Sequence, residues 1–469
     1  MRPRSILSFA LAAAVAALLS TALGVLPGRA PTAAAPAPAG RSTLVVIITD
    51  DQRHDTIPHM PILQRELTAR GVTFANATVT TPLCCPSRAS LLRGQYAHNT
   101  GVLTNGRGES GDRQSRWPGG AEAFPEQSSL ATWLRAAGYR TGLFGKYLNG
   151  YMQSSRRVPP GWDEWHVFAG GFFNYALNEN GTVRRYGREP EDYSTDVAAR
   201  KAVAFIEQGG QAPLFVYYAP FAPHAPTTPH PQDATGFSDL APWRPPSYNE
   251  QDVSDKPAWV QRLPVLTAQR QAQGDEFRRN QLRALQAVDR AIGQIIEALR
   301  RTGRLENSVI VFTADNGLSW GEHRWLDRKG VAYDEAIRVP LVVRGPGVPA
   351  GRTDPRLVQN IDIAPTFAEL ADARPDIRID GRSLLPLLRG GEGAWRAESL
   401  LEHWGGPSVT WSAIRTERWK YIESEAGDRE LYDLTADPYE MTNGVNDARH
   451  AQTVADLRRR LDALRRAGK

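Results

Sequence analysis

Runs of consecutive apolar residues alternate along the chain with longer segments of helical periodicity. A strand that is buried on both faces lacks polar alternation, and such strands are typical of parallel sheets. The pattern predicts strands over residues 44–48, 139–144, 214–218, 308–313 and 339–343. Helical spacing predicts helices over 128–137, 196–208 and 278–301, each leading into one of these strands. This order predicts an α/β fold with a mainly parallel central sheet and helices on both faces.

The C-terminal part of the chain has a different pattern. Glycines at 390, 391 and 393 indicate a linker, and short strand-like segments follow at 411–414, 419–422 and 430–433. We expect these segments to form a short antiparallel sheet, closed by a helix over 450–467. The predicted organisation is a signal peptide and tether at 1–40, a large domain at 41–390 and a smaller α+β subdomain at 391–469.

The first forty residues do not have the pattern of a folded domain. Arg2 and Arg4 precede an apolar run at 6–26, and an Ala/Pro-rich stretch follows. This order is typical of an export signal with a tether. The run is long enough to be weighed as a membrane anchor, but its many alanines and the small residues at 33–35 favour cleavage. We therefore expect a secreted protein without stable membrane insertion.

The charge balance argues against a nucleic-acid partner. The formal net charge is +5 over 469 residues, and Arg2, Arg4 and Arg29 lie in the predicted signal and tether. No basic block stands out in the body of the chain, and the arginines at 458–460 and 465–466 fit the solvated face of a terminal helix.

Two pairs of oxygen-bearing side chains follow predicted strands. Asp50-Asp51 ends the first strand and Asp315-Asn316 ends the strand at 308–313. In open α/β sheets ligands bind beyond the carboxyl ends of the strands, so both pairs should reach the same rim. Their oxygens are ligands that Ca²⁺ or Mg²⁺ prefers, although strand-end caps or ion-pair partners remain an alternative.

The chain has two cysteines, and they are neighbours. Cys84 and Cys85 cannot link separate backbone segments, so a stabilising disulfide is not their purpose. Pro86 and the residues to Leu92 predict a helix that begins just after Cys84, which places this cysteine at the positive end of the helix dipole. A small buried core cysteine is the alternative, but the exposed-looking Pro-Ser-Arg context argues against it.

These residues resemble the signature of the type I sulfatases, in the alkaline-phosphatase superfamily. The motif is Cys84-x-Pro86-Ser87-Arg88 with Gly94 six residues on. Further segments in the same order lie at 48–51, 145–148, 222–225, 313–317 and 338–341. The segments at 145–151, 158–162, 173–175 and 218–226 are most similar to N-acetylglucosamine-6-sulfatases and extracellular heparan endosulfatases. The resemblance makes residues 41–390 the sulfatase catalytic domain.

The resemblance implies a role for each motif residue. A separate formylglycine-generating enzyme would oxidise Cys84 to formylglycine, whose hydrated form attacks sulfur with one hydroxyl and releases sulfate through the other. One Ca²⁺ would be held by Asp50, Asp51, Asp315 and Asn316, with the residue at position 84 and the sulfate completing its ligands. Arg88 would orient the diol, Lys146 and Lys329 would hold sulfate oxygens, and His224 would bind sulfate or protonate the leaving oxygen.

The chain departs from the family pattern at two positions. Many arylsulfatases have a histidine two residues after the motif lysine, whereas this chain has Leu148, and Asn149 is a candidate to replace its function. The glucosamine branch has a histidine soon after Asp-Asn-Gly, whereas this chain has Ser319 and offers His323 instead, either at the site or in a structural role. His54, His98 and His230 are expected to be ordinary polar residues.

The sequence therefore predicts hydrolysis of sulfate monoesters, with a sulfated carbohydrate or an aryl sulfate as substrate. A phosphate or phosphonate monoester hydrolase of the same superfamily is the nearest alternative, because sulfate and phosphate share tetrahedral shape. A non-catalytic binder of sulfated glycans is the other. Specificity is expected to lie in the loops at 151–186 and 223–256.

Overall fold

The computed structural model describes residues 40–106, 116–154, 157–405 and 409–466. The predicted signal peptide and most of its tether lie outside these ranges. None of the helices within the ranges combines the length and the apolar character that crossing a bilayer requires.

Sixteen strands are present in the described residues. They are β1 Thr43–Thr49, β2 Val72–Thr78, β3 Arg140–Lys146, β4 Glu164–Phe168, β5 Ala176–Glu179, β6 Thr182–Arg185, β7 Leu214–Ala219, β8 Ser308–Ala314, β9 Ser319–Trp320, β10 Leu326–Arg328, β11 Leu341–Arg344, β12 Arg352–Gln359, β13 Glu398–His403, β14 Trp411–Thr416, β15 Trp419–Ser424 and β16 Arg429–Asp433.

The α-helices of the same ranges connect and cover these strands. They are α1 Pro61–Glu66, α2 Cys84–Arg93, α3 Ala97–Thr100, α4 Leu130–Ala136, α5 Tyr151–Ser154, α6 Ser194–Glu207, α7 Ala258–Gln261, α8 Ala268–Arg301, α9 Asp334–Ile337, α10 Ile363–Ala371, α11 Leu385–Leu388 and α12 Ala451–Arg466.

Ten of the described strands form one sheet in the order β12-β2-β11-β8-β1-β7-β3-β4-β5-β6. The run β8-β1-β7-β3-β4 is parallel throughout. Strand β11 lies antiparallel to β8 and β2, and β5 and β6 extend the other edge as an antiparallel hairpin. The predicted mainly parallel sheet is confirmed.

Both faces of this sheet are buried by helices. In β1, Leu44 and Val46 pack with α2, α4 and α10 on one face, whereas Val45 and Ile47 pack with α6 and α8 on the other. Successive side chains of a strand point to opposite faces, so burial on both sides requires the continuous apolar runs seen in the sequence. The predicted covering of both faces is confirmed.

Helix α8 starts ten residues before the predicted start at 278. The side chain of Thr267 accepts a hydrogen bond from the Arg270 N–H at 3.3 Å and caps the helix. The first turns are mostly exposed and polar, so they lack the apolar stripe on which the prediction rested.

A second sheet at the C-terminal end has the order β13-β14-β15-β16 and is antiparallel throughout. Helix α12 packs on it through Leu457 and Leu461, which join Leu400, Ile414 and Tyr421 in a small core. The predicted antiparallel sheet and closing helix are confirmed, and β13 is a strand that the pattern did not reveal. The domain boundary near residue 390 stays a prediction.

Candidate active site

The paired strands β1 and β8 bring two acidic pairs to one rim. Thr49 and Ala314 are register partners at the ends of these parallel strands, so the residues that follow them lie side by side. The backbone N–H of Asp51 donates to Asp315 Oδ1 at 3.1 Å. Asn316 Nδ2 donates to Asp51 Oδ1 at 2.6 Å. The predicted convergence of the two pairs is therefore present in the structure.

Cys84 is the first residue of α2, and Leu83 before it is extended. Its Sγ lies 3.5 Å from Asp50 Oδ1. The thiol therefore occupies the N-terminus of a ten-residue helix, which is the end that favours negative charge.

The exposure expected from the Pro-Ser-Arg context is wrong. Every residue of α2 from Cys84 to Arg93 is buried, and Cys84 has no exposed surface. Several of the buried polar side chains find partners within the protein. Ser87, for example, accepts a hydrogen bond at Oγ from Asn360 Nδ2 at 2.9 Å. Cys85 packs in the apolar core on the same face of the sheet.

Arg88 joins the acidic side chains at the rim to the end of β3. Its Nε donates to Asp315 Oδ2 at 2.8 Å, and its Nη1 donates to the backbone oxygen of Lys146 at 2.9 Å. Burial opposes the charge of this guanidinium, but Asp315 and Asp50 outweigh burial and raise its pKa. Arg88 thus stays charged and fixes both a carboxylate and the end of β3.

Two lysines converge on Asp50, Asp51 and the thiol. Lys146, the last residue of β3, donates from Nζ to Asp50 Oδ2 at 2.5 Å. Lys329, just after β10, donates from Nζ to Cys84 Sγ at 2.8 Å and also contacts Asp51 Oδ1. A group that replaced the sulfur would therefore interact with the positive charges of both lysines.

His224 faces the second carboxylate oxygen of Asp51, the one that Lys329 does not contact. Its Nε2 is 3.5 Å from Asp51 Oδ2, and its Nδ1 is 2.6 Å from the backbone oxygen of Ala225, so Nδ1 carries the hydrogen of that contact. The ring packs on Phe221 at 4.7 Å between centroids, and Lys146 Nζ lies 5.6 Å from the centre of the same ring. Phe221 therefore lies against two of the candidate site residues. It was not singled out from the sequence, although it stands three residues before His224.

The surrounding charges decide the protonation of the acidic groups. Burial would raise the pKa of Asp50, but Lys146 and Arg88 outweigh burial and hold that pKa well below its usual range. Lys329 likewise lowers the pKa of Asp51 against the effect of burial. Burial raises the pKa of the Cys84 thiol far above its usual value. An unmodified Cys84 is therefore a neutral thiol and not an activated thiolate.

The carboxylate and amide oxygens at the rim fit a hard cation. Asp50, Asp51, Cys84 and His224 each place one ligand atom within 4.8 Å of the others. Both oxygens of Asp315 accept hydrogen bonds, from Asp51 and Arg88, whereas Asn316 Oδ1 is buried and has no hydrogen-bond partner among the described residues. An unused oxygen beside two ionised carboxylates is suited to Ca²⁺ coordination.

The remaining candidate residues have contacts of other kinds. Leu148 is part of the apolar core, and Asn149 next to it has a buried Oδ1 without a hydrogen-bond partner in the described ranges. His323 contacts Glu250 at 2.6 Å and packs on Tyr333. These contacts give His323 the structural role that was one of its two predicted alternatives.

Comparison with known proteins identifies the family. A sulfatase family model matches residues 42–373, and a model of the C-terminal region of N-sulphoglucosamine sulphohydrolase matches residues 321–467. The chain belongs to the sulfatase family. The predicted family is confirmed.

Relatives of this sulfatase-family chain include glycan sulfatases. It is 32% identical over 453 residues to human N-acetylglucosamine-6-sulfatase, covering 86% of this chain and 81% of the relative. It is 35% identical over 400 residues to an extracellular sulfatase SULF-1 homolog of Drosophila melanogaster, covering 82% of this chain but only 34% of the longer fly protein. A solved structure in complex with its substrate D-glucosamine-2-N,6-O-disulfate superposes with a TM-score of 0.78 at 25% identity, covering 91% and 97% of the two chains.

Proposed function

We propose that this sulfatase-family protein hydrolyses sulfate monoesters at Cys84. The observation that carries the proposal is the position of the Cys84 sulfur, between Lys329 Nζ at 2.8 Å and Asp50 Oδ1 at 3.5 Å, at the start of a helix. The helix N-terminus and both lysines favour an anion at this point, and the rim carboxylates suit a cation beside it.

Two groups that the family implies would complete the site. Ca²⁺ would be held by Asp50, Asp51, Asp315, Asn316 and the oxygen at position 84, and would offset charge on the sulfate. Oxidised to formylglycine by a separate enzyme, residue 84 would supply a hydrated aldehyde, with one hydroxyl for attack and a second for release.

The chain's own charged residues would bind and orient the sulfate. Lys146 and Lys329 would exchange part of their contact with Asp50 and Asp51 for sulfate oxygens, and so stabilise the charge that develops there. Both pKa values are raised against the effect of burial by neighbouring carboxylates, which keeps both lysines charged. Arg88 would be a positioning residue, because it holds Asp315 and the backbone of Lys146 in place.

His224 would supply the proton that the leaving oxygen needs as the ester bond breaks. Its Nδ1 hydrogen is directed to the Ala225 oxygen, so Nε2 is the atom that faces Asp51 and the rim. A protonated Nε2 next to Asp51 would donate to the leaving alkoxide oxygen, and general acid catalysis of this kind contributes about 10²- to 10⁴-fold.

The relatives support a sulfated glycan as the substrate class. One is named for N-acetylglucosamine 6-sulfate hydrolysis, and the solved structure holds a disulfated glucosamine. The extracellular fly relative and the signal-like N-terminus together support export of this chain.

Comparing turnover of 4-nitrophenyl sulfate and 4-nitrophenyl phosphate tests the reaction. The mature exported protein should release nitrophenol from the sulfate at least tenfold faster, with Ca²⁺ present. A preference for the phosphate would assign the protein to the phosphate or phosphonate hydrolases. Binding of sulfated glycans without turnover of either ester would make it a non-catalytic binder.

A further inference from the structure

His403 is a buried imidazole next to the site that the roles above leave unused. It is the last residue of β13, and 2% of its surface is exposed. Neither ring nitrogen has a hydrogen-bond partner among the residues the structure describes. The nearby Gly405 N–H donates to Thr410 Oγ1 at 3.1 Å, and it acts on the His403 ring only as a minor influence that opposes the effect of burial. Buried polar atoms are nearly always paired, so an unpaired imidazole calls for a missing partner.

The contacts of His403 place it against the loop that carries Lys329. A Cβ built on Gly330 would lie 3.1 Å from His403 Nε2 and Cε1, so the ring touches the backbone directly after Lys329. The ring also stacks on Trp411, whose Nε1 donates to the Gly330 oxygen at 2.9 Å. The imidazole therefore contacts Gly330, the residue that directly follows Lys329 in the chain, and Lys329 contacts the Cys84 sulfur.

Strand alternation directs His403 toward this loop. Glu402 and Trp404, its neighbours, line a cavity of about 600 Å³ beside the C-terminal sheet, and His403 is absent from the cavity lining. Successive side chains of a strand point to opposite faces, so His403 faces the Lys329–Gly330 loop instead.

The chemistry of the ring favours a partner that can both donate and accept a hydrogen bond. Burial lowers the pKa of His403 to about 4, so the ring is neutral above that pH. A neutral imidazole has one N–H donor and one nitrogen acceptor. A hydroxyl group matches both, whereas a sulfate only accepts and an ammonium only donates.

We propose that His403 is a specificity-determining residue that hydrogen-bonds a hydroxyl of the leaving group next to the sulfate ester. The inference rests on the proposed function and deepens it, because it selects polyhydroxylated leaving groups, that is, sugar sulfates, over aryl sulfates. A site that hydrogen-bonds a substrate hydroxyl discriminates strongly against an analogue that lacks it.

The test compares two sulfate esters on matched variants of the mature, Ca²⁺-loaded protein. One ester is a sugar sulfate that the wild type turns over, chosen from a panel of sulfated monosaccharides and disaccharides. The other is 4-nitrophenyl sulfate, which has no hydroxyl group. His403→Ala should lower kcat/KM for the sugar sulfate about 10- to 100-fold and change the nitrophenyl ester less than about twofold. His403→Asn, which keeps a donor and an acceptor, should recover part of the loss.

His98→Gln is the control for disturbance of this strand, because His98 Nδ1 pairs with Glu402 at 2.7 Å and lines the cavity on the other face. It should leave the ratio between the two esters unchanged. Equal losses on both esters in His403→Ala would overturn the inference, because the imidazole would then act through Lys329. The inference would also be overturned if His403→Ala turned over the sugar sulfate at the wild-type rate. It would equally be overturned if the wild type hydrolysed the nitrophenyl ester but no sugar sulfate. A wild type inactive on every sulfate ester would instead overturn the proposed function itself.

Discussion

Two clusters of buried charge use similar side chains in different parts of the molecule. The rim cluster joins Asp50, Asp51 and Asp315 to Arg88, Lys146 and Lys329. The junction cluster lies where α9 meets the C-terminal sheet. In it, Lys420 Nζ donates to Asp334 Oδ1 at 2.9 Å and contacts Glu440 Oε1 at 2.5 Å, and Arg415 Nη2 lies 3.1 Å from Asp334 Oδ2.

The two clusters differ in what their cations contact. In the junction cluster Lys420 and Arg415 contact carboxylates and backbone oxygens, and these contacts join β14 and β15 to α9. In the rim cluster Lys329 also reaches a thiol, and Asn316 Oδ1 beside it has no partner among the described residues. Burial and charge alone therefore do not separate the proposed active site from the structural junction, whereas the proposed nucleophile position beside an unused ligand atom does.

Cys84→Ala should have the largest effect on activity. Removal of the nucleophile should lower kcat by about 10⁴-fold or more, because the remaining charges cannot form a covalent intermediate. Cys85→Ala is the matched control. It should keep activity within a few-fold and lose about 1 kcal/mol of unfolding free energy, since Cys85 only packs in the core. Activity that survives in Cys84→Ala would show that the rim is not the catalytic centre.

Ca²⁺ removal should have the next largest effect. Chelation should lower activity about 10²-fold or more, and added Ca²⁺ should restore it and raise the melting temperature, because a ligand bound only by the folded state stabilises it. In Asp51→Asn the rise in melting temperature should be lost. Asp55→Asn, whose carboxylate pairs with Arg53, should keep it. A rise of equal size in both variants would place the ion elsewhere.

Lys420→Met should affect stability and not chemistry. It leaves the buried Asp334 and Glu440 without their shared cation, which should cost about 3–5 kcal/mol of unfolding free energy. Urea unfolding measures this loss, and kcat per folded molecule should stay within about twofold of wild type. A fall in kcat without a fall in stability would make the junction cluster part of the site.

Glu335, next to the junction cluster, should produce a smaller, pH-dependent effect. Burial and the charge of Glu322 raise the pKa of Glu335 from 4.5 to about 7. The folded state thus binds this proton more tightly, so the contribution is present below pH 4.5 and is lost as pH rises to about 7. Between about pH 5 and 8, wild type should lose about 1–3 kcal/mol relative to Glu335→Gln. Parallel stability curves for the two proteins would contradict this assignment.

Sequence reasoning was most successful where burial was complete. Strands β1, β7 and β8 were predicted because both of their faces are buried, and Asp50 and Asp315 followed from the ends of two of them. The edge strand β6 was not predicted, because its residues are mostly exposed and lack an apolar pattern. The burial of Arg88 was not predicted either, because its partner Asp315 lies 227 residues further along the sequence. Local composition cannot report a contact over such a separation.

The mass of the peptide that contains Cys84 shows whether residue 84 carries the proposed aldehyde. In the active, exported protein we expect an aldehyde at residue 84 that reacts with a hydroxylamine probe, while Cys85 in the same peptide keeps its thiol. An intact thiol at Cys84 in a protein that hydrolyses sulfate esters would contradict the proposed mechanism.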